Sequence, residues 1–261
     1  MHQSQITKDL PPKFVIFDVK VSATNYDEAQ DIIIEYAKNH KPIIVDHMPV
    51  HGLISAVTDP HFKNALNNFD IVAPDGQPVR WALNLLYKTN LKDRVYGPEL
   101  MLRLCERAAN DKVSIYLYGS TEKVLAKLKQ NLLTKFPSLL IVGLESPPFR
   151  PLSEKEVTDT INRINDSKCG ILFLGLGCPK QEIFAFEHKN NINAVQMCVG
   201  AAFDFHAGTV KQAPPWMQKR GLEWAYRFFQ EPKRLWKRYL VTNTLFLFLL
   251  IKYKFRPPRD H

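Results

Sequence analysis

Apolar runs of strand length alternate with amphipathic stretches of helix length along most of this 261-residue chain, and no other feature restricts its fold as much. The strand candidates are Phe14–Val19, Pro42–Val45, Ile71–Ala73, Ser114–Tyr118, Leu139–Val142, Gly170–Leu174 and Ala194–Val199. Several are nearly continuous Val, Ile and Leu, the composition of strands covered on both faces. Helix candidates lie between them at Tyr26–Asn39, Pro98–Asn110, Thr121–Lys135, Ser153–Asn165 and Lys180–Lys189. Pro98 and Glu99 suit a first helical turn, and Ser153 with Glu156 three residues on fits a capping box. Strands separated by helices pair in parallel, because the helix takes up the return crossover. The expected fold is α/β: a mostly parallel, Rossmann-like layered sheet with helices on both faces, plus a C-terminal helical basic appendage.

Charge divides the chain. Lys211–His261 holds twelve Lys/Arg against three Asp/Glu, which is the whole of the net +9, so residues 1–210 are electrically neutral. The expected division is an α/β catalytic domain over 1–210 and an appendage over 211–261, meeting at Gln212–Pro215. The appendage also carries Trp216, Trp224, Trp236, Tyr226 and Tyr239. Cationic heads among amphipathic rings suit a surface that is both anionic and oily. Pro214 and Pro215 precede a helical pattern from Trp216 to Gln230, and Pro232 stands where a second helix would start. The longest apolar run, near Leu245–Ile251, falls well short of the roughly 20 residues that span a bilayer. The first residues lack an apolar signal core. The four cysteines form no C-x-x-C pair and read as reduced thiols. The expected setting is cytoplasmic and peripheral to a membrane.

Ligands of parallel sheets bind outside the carboxyl ends of the strands. Ile71–Ala73 leads to Asp75, placed either as a general base facing a cleft or as a helix cap. Gly119 follows the strand at Ser114–Tyr118, where a phosphate site and a plain turn are both open readings. Gly175-Leu176-Gly177 precedes Cys178-Pro179-Lys180-Gln181. This G-x-G turn has Lys180 where a dinucleotide fingerprint has its third glycine, which disfavours oxidoreductase chemistry. Gln181 both donates and accepts, as recognition of a sugar or base edge requires. Core packing accounts for Gly200, Ala201 and Ala202. His47 and His51 have a metal pair's i, i+4 spacing, but Pro49 intervenes and no third ligand is apparent, so a solvated or capping role is expected. No D-x-D, G-x-S-x-G, HExxH or Walker loop is present.

In this order, APDGQPVRWA (73–82), RVYGPELMLRLCERAA (94–109), YLYGS (116–120), LGLGCPKQE (174–182), VGAAFDFHAG (199–208) and the block 213–240 resemble the WecG/TagA/CpsF family of bacterial glycosyltransferases. The resemblance runs from about Phe14 to about Phe248. It implies inverting transfer from a UDP-sugar to a polyprenyl (undecaprenyl) diphosphate-linked acceptor on the inner face of the cytoplasmic membrane, in polysaccharide or teichoic acid synthesis. It implies no metal at the catalytic step and no cofactor, and it is compatible with a homo-oligomer. Asp75 matches the family's general base, Arg94 an arginine for a diphosphate and Gln181 an active-site glutamine; Gly119, Gly175 and Gly177 would shape the nucleotide pocket. After the second strand the family has T-x-N-P with an active-site Thr. Here Asp46 holds the Thr position and Met48 the Asn position, so the sugar is left open and Asp46 becomes a rival carboxylate.

Arg220, Arg227, Arg234 and Arg238 recur at roughly helical spacing and are the expected contacts for the lipid diphosphate and anionic headgroups. The opposing reading makes Trp216, Leu222, Trp224 and Phe228 core residues and the charges a solvated face. Two other classes compete: a nucleic-acid-binding module gripping phosphates through the basic tail, and a non-catalytic sugar-nucleotide binder. The resemblance sets nucleic acid aside as a partner.

Overall fold

The computed structural model describes residues 8–255, in which the side chains of Pro215, Lys219, Arg234 and Arg238 lie outside the described set. The chain opens with an antiparallel hairpin, β1 (Lys13–Ile16) and β2 (Val19–Ser22). This corrects the single strand expected over Phe14–Val19. The chain reverses at Phe17 and Asp18, both in the left-handed region at φ 53° and 64°. Asp tolerates that conformation and Phe does not, so its side chain must compensate. Phe17 is 1% exposed and meets Phe246 and Tyr253 edge-on at 5.5 and 5.1 Å.

The body then alternates as the sequence implies: α1 (Tyr26–Lys38), β3 (Ile44–Met48), α2 (Val50–Thr58), α3 (Pro60–Asn67), β4 (Ile71–Pro74), α4 (Gln77–Tyr87), α5 (Gly97–Asp111), β5 (Ile115–Gly119), α6 (Glu122–Lys135), β6 (Ile141–Glu145), α7 (Glu154–Asp166), β7 (Ile171–Gly175), α8 (Lys180–Glu187), β8 (Val195–Cys198) and α9 (Ala202–His206). The Ser153–Glu156 capping box is present. Helices α2 and α3 were not anticipated. Asp59 separates them and caps α3 by accepting from the backbone N–H of His61 and Phe62.

Among the described residues six strands form one parallel sheet in the order β4-β3-β8-β7-β5-β6. Alternate side chains enter opposite layers. Ile171 and Phe173 pack with α1, α5 and α6, whereas Leu172 and Leu174 pack with α2, α3 and α4. After β3 the chain passes to the second layer through α2, and after β8 it passes to the first through α9. The neighbouring strands β3 and β8 therefore send their connections to opposite faces. That divergence opens a crevice at their carboxyl ends, the usual place for a ligand in such sheets.

The one helix expected over Trp216–Gln230 is two, α10 (Pro215–Lys219) and α11 (Glu223–Gln230), broken at Gly221 with φ 71°. Beyond Pro232 runs α12 (Pro232–Phe255). Its Leu235, Thr242 and Phe246 are buried against the body, and Tyr253 donates to Asp18 Oδ1 at 2.8 Å. The burial of Phe246 contributes about 1.5–3 kcal/mol to docking. Trp236, Leu240, Phe248, Ile251 and Phe255 stand on the other side and are 53–77% exposed. No helix of the described residues is long and apolar enough to cross a membrane.

Candidate active site

The crevice is a cavity of about 700 Å³, walled by the ends of β3, β4, β7 and β8 and roofed by α11 and α12. Asp75 follows β4 and lines it. The cap of α4 is Gly76, with no side-chain bond, so Asp75 does not serve as the cap that its spacing also allowed. Its Oδ2 instead accepts from the Gly97 N–H at 3.3 Å, at the first residue of α5, and its Oδ1 lies 3.8 Å from Arg94 Nη1. The side chain keeps 15% of its accessible surface. Burial pushes its pKa up to about 6 against the pull of Arg94, and the nearby Glu223 charge adds to the rise. A carboxylate so poised accepts a proton at neutral pH.

Arg94 is held from the far side by Glu223. Glu223 Oε2 accepts from Arg94 Nη2 at 2.7 Å, and its Oε1 accepts from the Tyr96 hydroxyl at 2.6 Å. The guanidinium also lies 4.4 Å from the Tyr96 ring centre. Asp75, Arg94, Glu223 and Tyr96 thus form one network joining the body to the appendage. Sequence reasoning missed Glu223. It is the sole acid between Lys211 and Gln230, and a lone acid in a basic amphipathic stretch was the available signal.

Gln181 lines the cavity, yet its amide is largely used within the protein. Oε1 accepts from the N–H of Gly177 and Gly200 at 3.3 and 3.0 Å, and Nε2 donates to Glu182 Oε1 at 2.8 Å. It ties the loop after β7 to the loop after β8, and the two glycine amides point at Gln181 rather than at a ligand. The three pocket glycines separate in role. Gly177, at φ 81°, has open space where a Cβ would stand and lines the cavity. Gly119 and Gly175 are not among the lining residues. A Cβ on Gly119 would meet the Gly175 carbonyl carbon at 2.5 Å, and one on Gly175 would meet the Phe203 ring at 2.5 Å, so both serve close packing of β5, β7 and α9. Gly175→Ala is expected to cost about 1–3 kcal/mol by overpacking, read in thermal melts.

A family model for glycosyl transferases of the WecG/TagA/CpsF family matches residues 14–260. The chain belongs to that family. An N-acetylglucosaminyldiphosphoundecaprenol N-acetyl-beta-D-mannosaminyltransferase of Bacillus spizizenii is 30% identical over 204 residues, covering 78% of this chain and 76% of the relative. One of the same description from Bacillus subtilis is 29% identical over 214 residues, covering 79% and 81%.

At the floor of this WecG/TagA/CpsF transferase's cavity lies Asp46, 3% exposed and beside Glu182. His47 is buried, which corrects the solvated or capping role expected of it. Its Nδ1 lies 3.2 Å from the Cys198 carbonyl oxygen, and burial pushes its pKa down to about 4, so the ring is neutral. His51 lies in α2, its Nδ1 3.4 Å from Ser55 Oγ. Of the appendage arginines, Arg227 lines the cavity, its guanidinium 5.6 Å from the Phe205 ring centre. Arg220 is exposed beside Trp216 and is not among the lining residues. The side chains of Arg234 and Arg238 lie outside the described residues. Trp216 and Trp224 are 55% and 49% exposed, so they are not the core residues that the opposing reading made them.

Proposed function

We propose that this glycosyl transferase moves a hexose or N-acetylhexosamine from a UDP-sugar to a polyprenyl diphosphate-linked acceptor, with inversion. Asp75 carries the reading: a carboxylate at the mouth of a parallel sheet, oriented by Gly97 N–H and Arg94, with its proton affinity raised toward neutrality. Its carboxylate takes the proton of the acceptor hydroxyl as that oxygen attacks the anomeric carbon, and the UDP departs from the opposite face. Arg94 is committed to Asp75 and Glu223, so it positions the base; Arg227 faces the cavity and is the residue for diphosphate charge. By the resemblance, Asp46 stands where the family usually has Thr, so the donor need not be the N-acetylmannosamine sugar named for the Bacillus relatives. A panel of UDP-sugars with a short-chain polyprenyl diphosphate sugar, read by mass spectrometry, tests the reading. One donor is expected to give a glycosylated lipid, and consumption of none would leave a non-catalytic binder.

The enzyme works on the inner membrane face through its appendage, in this reading. The exposed apolar row of α12 lies beside exposed Lys233, Lys237 and Lys252. Each cation near anionic lipid adds about 1 kcal/mol, a salt-sensitive contribution. Leu240→Asp with Phe248→Asp is expected to lower partition onto anionic vesicles at least about tenfold while leaving the melting temperature unchanged, since neither side chain is buried. Undiminished flotation of the double variant would remove α12 as the contact. Retention on DNA with a steep salt slope, and none on vesicles, would favour the nucleic-acid module instead.

A further inference from the structure

The cavity floor holds a second group of ionisable side chains, apart from Asp75, Arg94 and Arg227. Asp46 lies in β3, Cys198 ends β8 and Glu182 sits in the first turn of α8. One donor atom from each lies within 4.8 Å of the others, and the three residues are 1–3% exposed. Glu182 Oε1 accepts from Gln181, but Oε2 is buried with no hydrogen-bond partner. Cys178, on the loop entering α8, brings a second sulfur against the same carboxylate from the cavity side.

No described ion pair reaches either carboxyl, and the nearby Arg94 is occupied by Asp75 and Glu223. Two buried carboxyls without a cation are costly unless they take up protons; burial raises both, and the Glu182 charge raises Asp46 further while hydrogen bonding to Gln181, Asp46 and Cys178 pulls Glu182 part of the way back. A metal ion meets the same need by replacing those protons. The donor set selects among ions. Thiolates are soft ligands, which calcium and magnesium avoid, whereas carboxylate and thiolate together suit zinc. Tetrahedral zinc with bonds of about 2.0–2.3 Å brings ligand atoms to roughly 3.3–3.8 Å apart, which a small side-chain rotation would achieve.

We propose that Asp46, Glu182 and Cys198 form a zinc-class divalent-cation site, with Cys178 or solvent completing the shell. The ion clamps β3, β8 and the start of α8 together under the cavity, and no step of sugar transfer is routed through it.

Cobalt is the probe. The full chain, stripped with a chelator, is titrated with Co²⁺ and followed in the near ultraviolet. One equivalent with a thiolate-to-cobalt charge-transfer band, displaced by Zn²⁺, is the expected result, together with a higher melting temperature on loading. Asp46→Thr and Cys198→Ser, each checked for folding by circular dichroism, are expected to lower cobalt affinity at least tenfold, and Cys198→Ser also to weaken the band. Absence of a thiolate band, or binding undiminished in both variants, overturns the site: the carboxyls then share protons, or the ion sits elsewhere. The readout is the bound ion, so the result stands apart from whether any sugar is transferred.

Discussion

Asp75→Asn is expected to lower kcat by about 10²–10⁴-fold while the protein melts no lower than the wild type. The two effects part because the carboxylate is held where folding disfavours its charge. Its pKa rises from 3.8 unfolded to about 6 folded, so the group's stabilising contribution is complete below about pH 4 and is lost as pH climbs through 6. Above that range the wild type carries a charge that folding opposes by a few kcal/mol, at about 1.4 kcal/mol per pKa unit. Asparagine removes the charge and can still accept from Gly97 N–H. Activity has the opposite pH sense, falling below about pH 6 as the base protonates. Initial rates from pH 5 to 8 beside thermal melts of both proteins check this. A variant that loses activity only because it unfolds would contradict it.

Arg94→Ala is expected to cost about 3–5 kcal/mol in stability, because it strands Glu223 and Asp75 as buried charges without a cation. Denaturant unfolding measures the loss, and a rescue by Arg94→Lys should be partial, since one ammonium cannot reproduce the fork that meets both acids. The milder Glu223→Gln tests the same network through kinetics. Arg94 lowers and Glu223 raises the proton affinity of Asp75. Glu223→Gln should therefore move the acid limb of the rate profile to lower pH. A limb unmoved in this variant would mean that the titrating base is not Asp75.

The alternation of runs such as Gly170–Leu174 and Lys180–Lys189 was enough to anticipate a layered parallel sheet, since local pattern alone dictates it. The hairpin at Phe17-Asp18 was not legible, because a phenylalanine takes a left-handed turn there only through long-range burial against Phe246 and Tyr253. At the site, Asp75 stands out in the sequence by its place after a strand and Arg94 by motif likeness, and both come together at one cavity. The N-cap alternative for Asp75 fell away because α4 begins at Gln77 and its cap is Gly76. Glu223 stayed hidden because its partner is 129 positions away and no local rule links them. The packing roles of Gly119 and Gly175 were not legible, because sequence shows that a side chain is missing and not what fills the space.

The ion pair between Arg94 and Glu223 also sets an order of events during synthesis. All eight strands of the described residues lie ahead of residue 199, and Glu223 leaves the ribosome after them. The body can therefore gather its two core layers while the mouth of the pocket still lacks its roof. Until the later helices settle, Arg94 has Asp75 and the Tyr96 ring but no second acid to hold it, and a nascent chain is a scaffold before it is a catalyst.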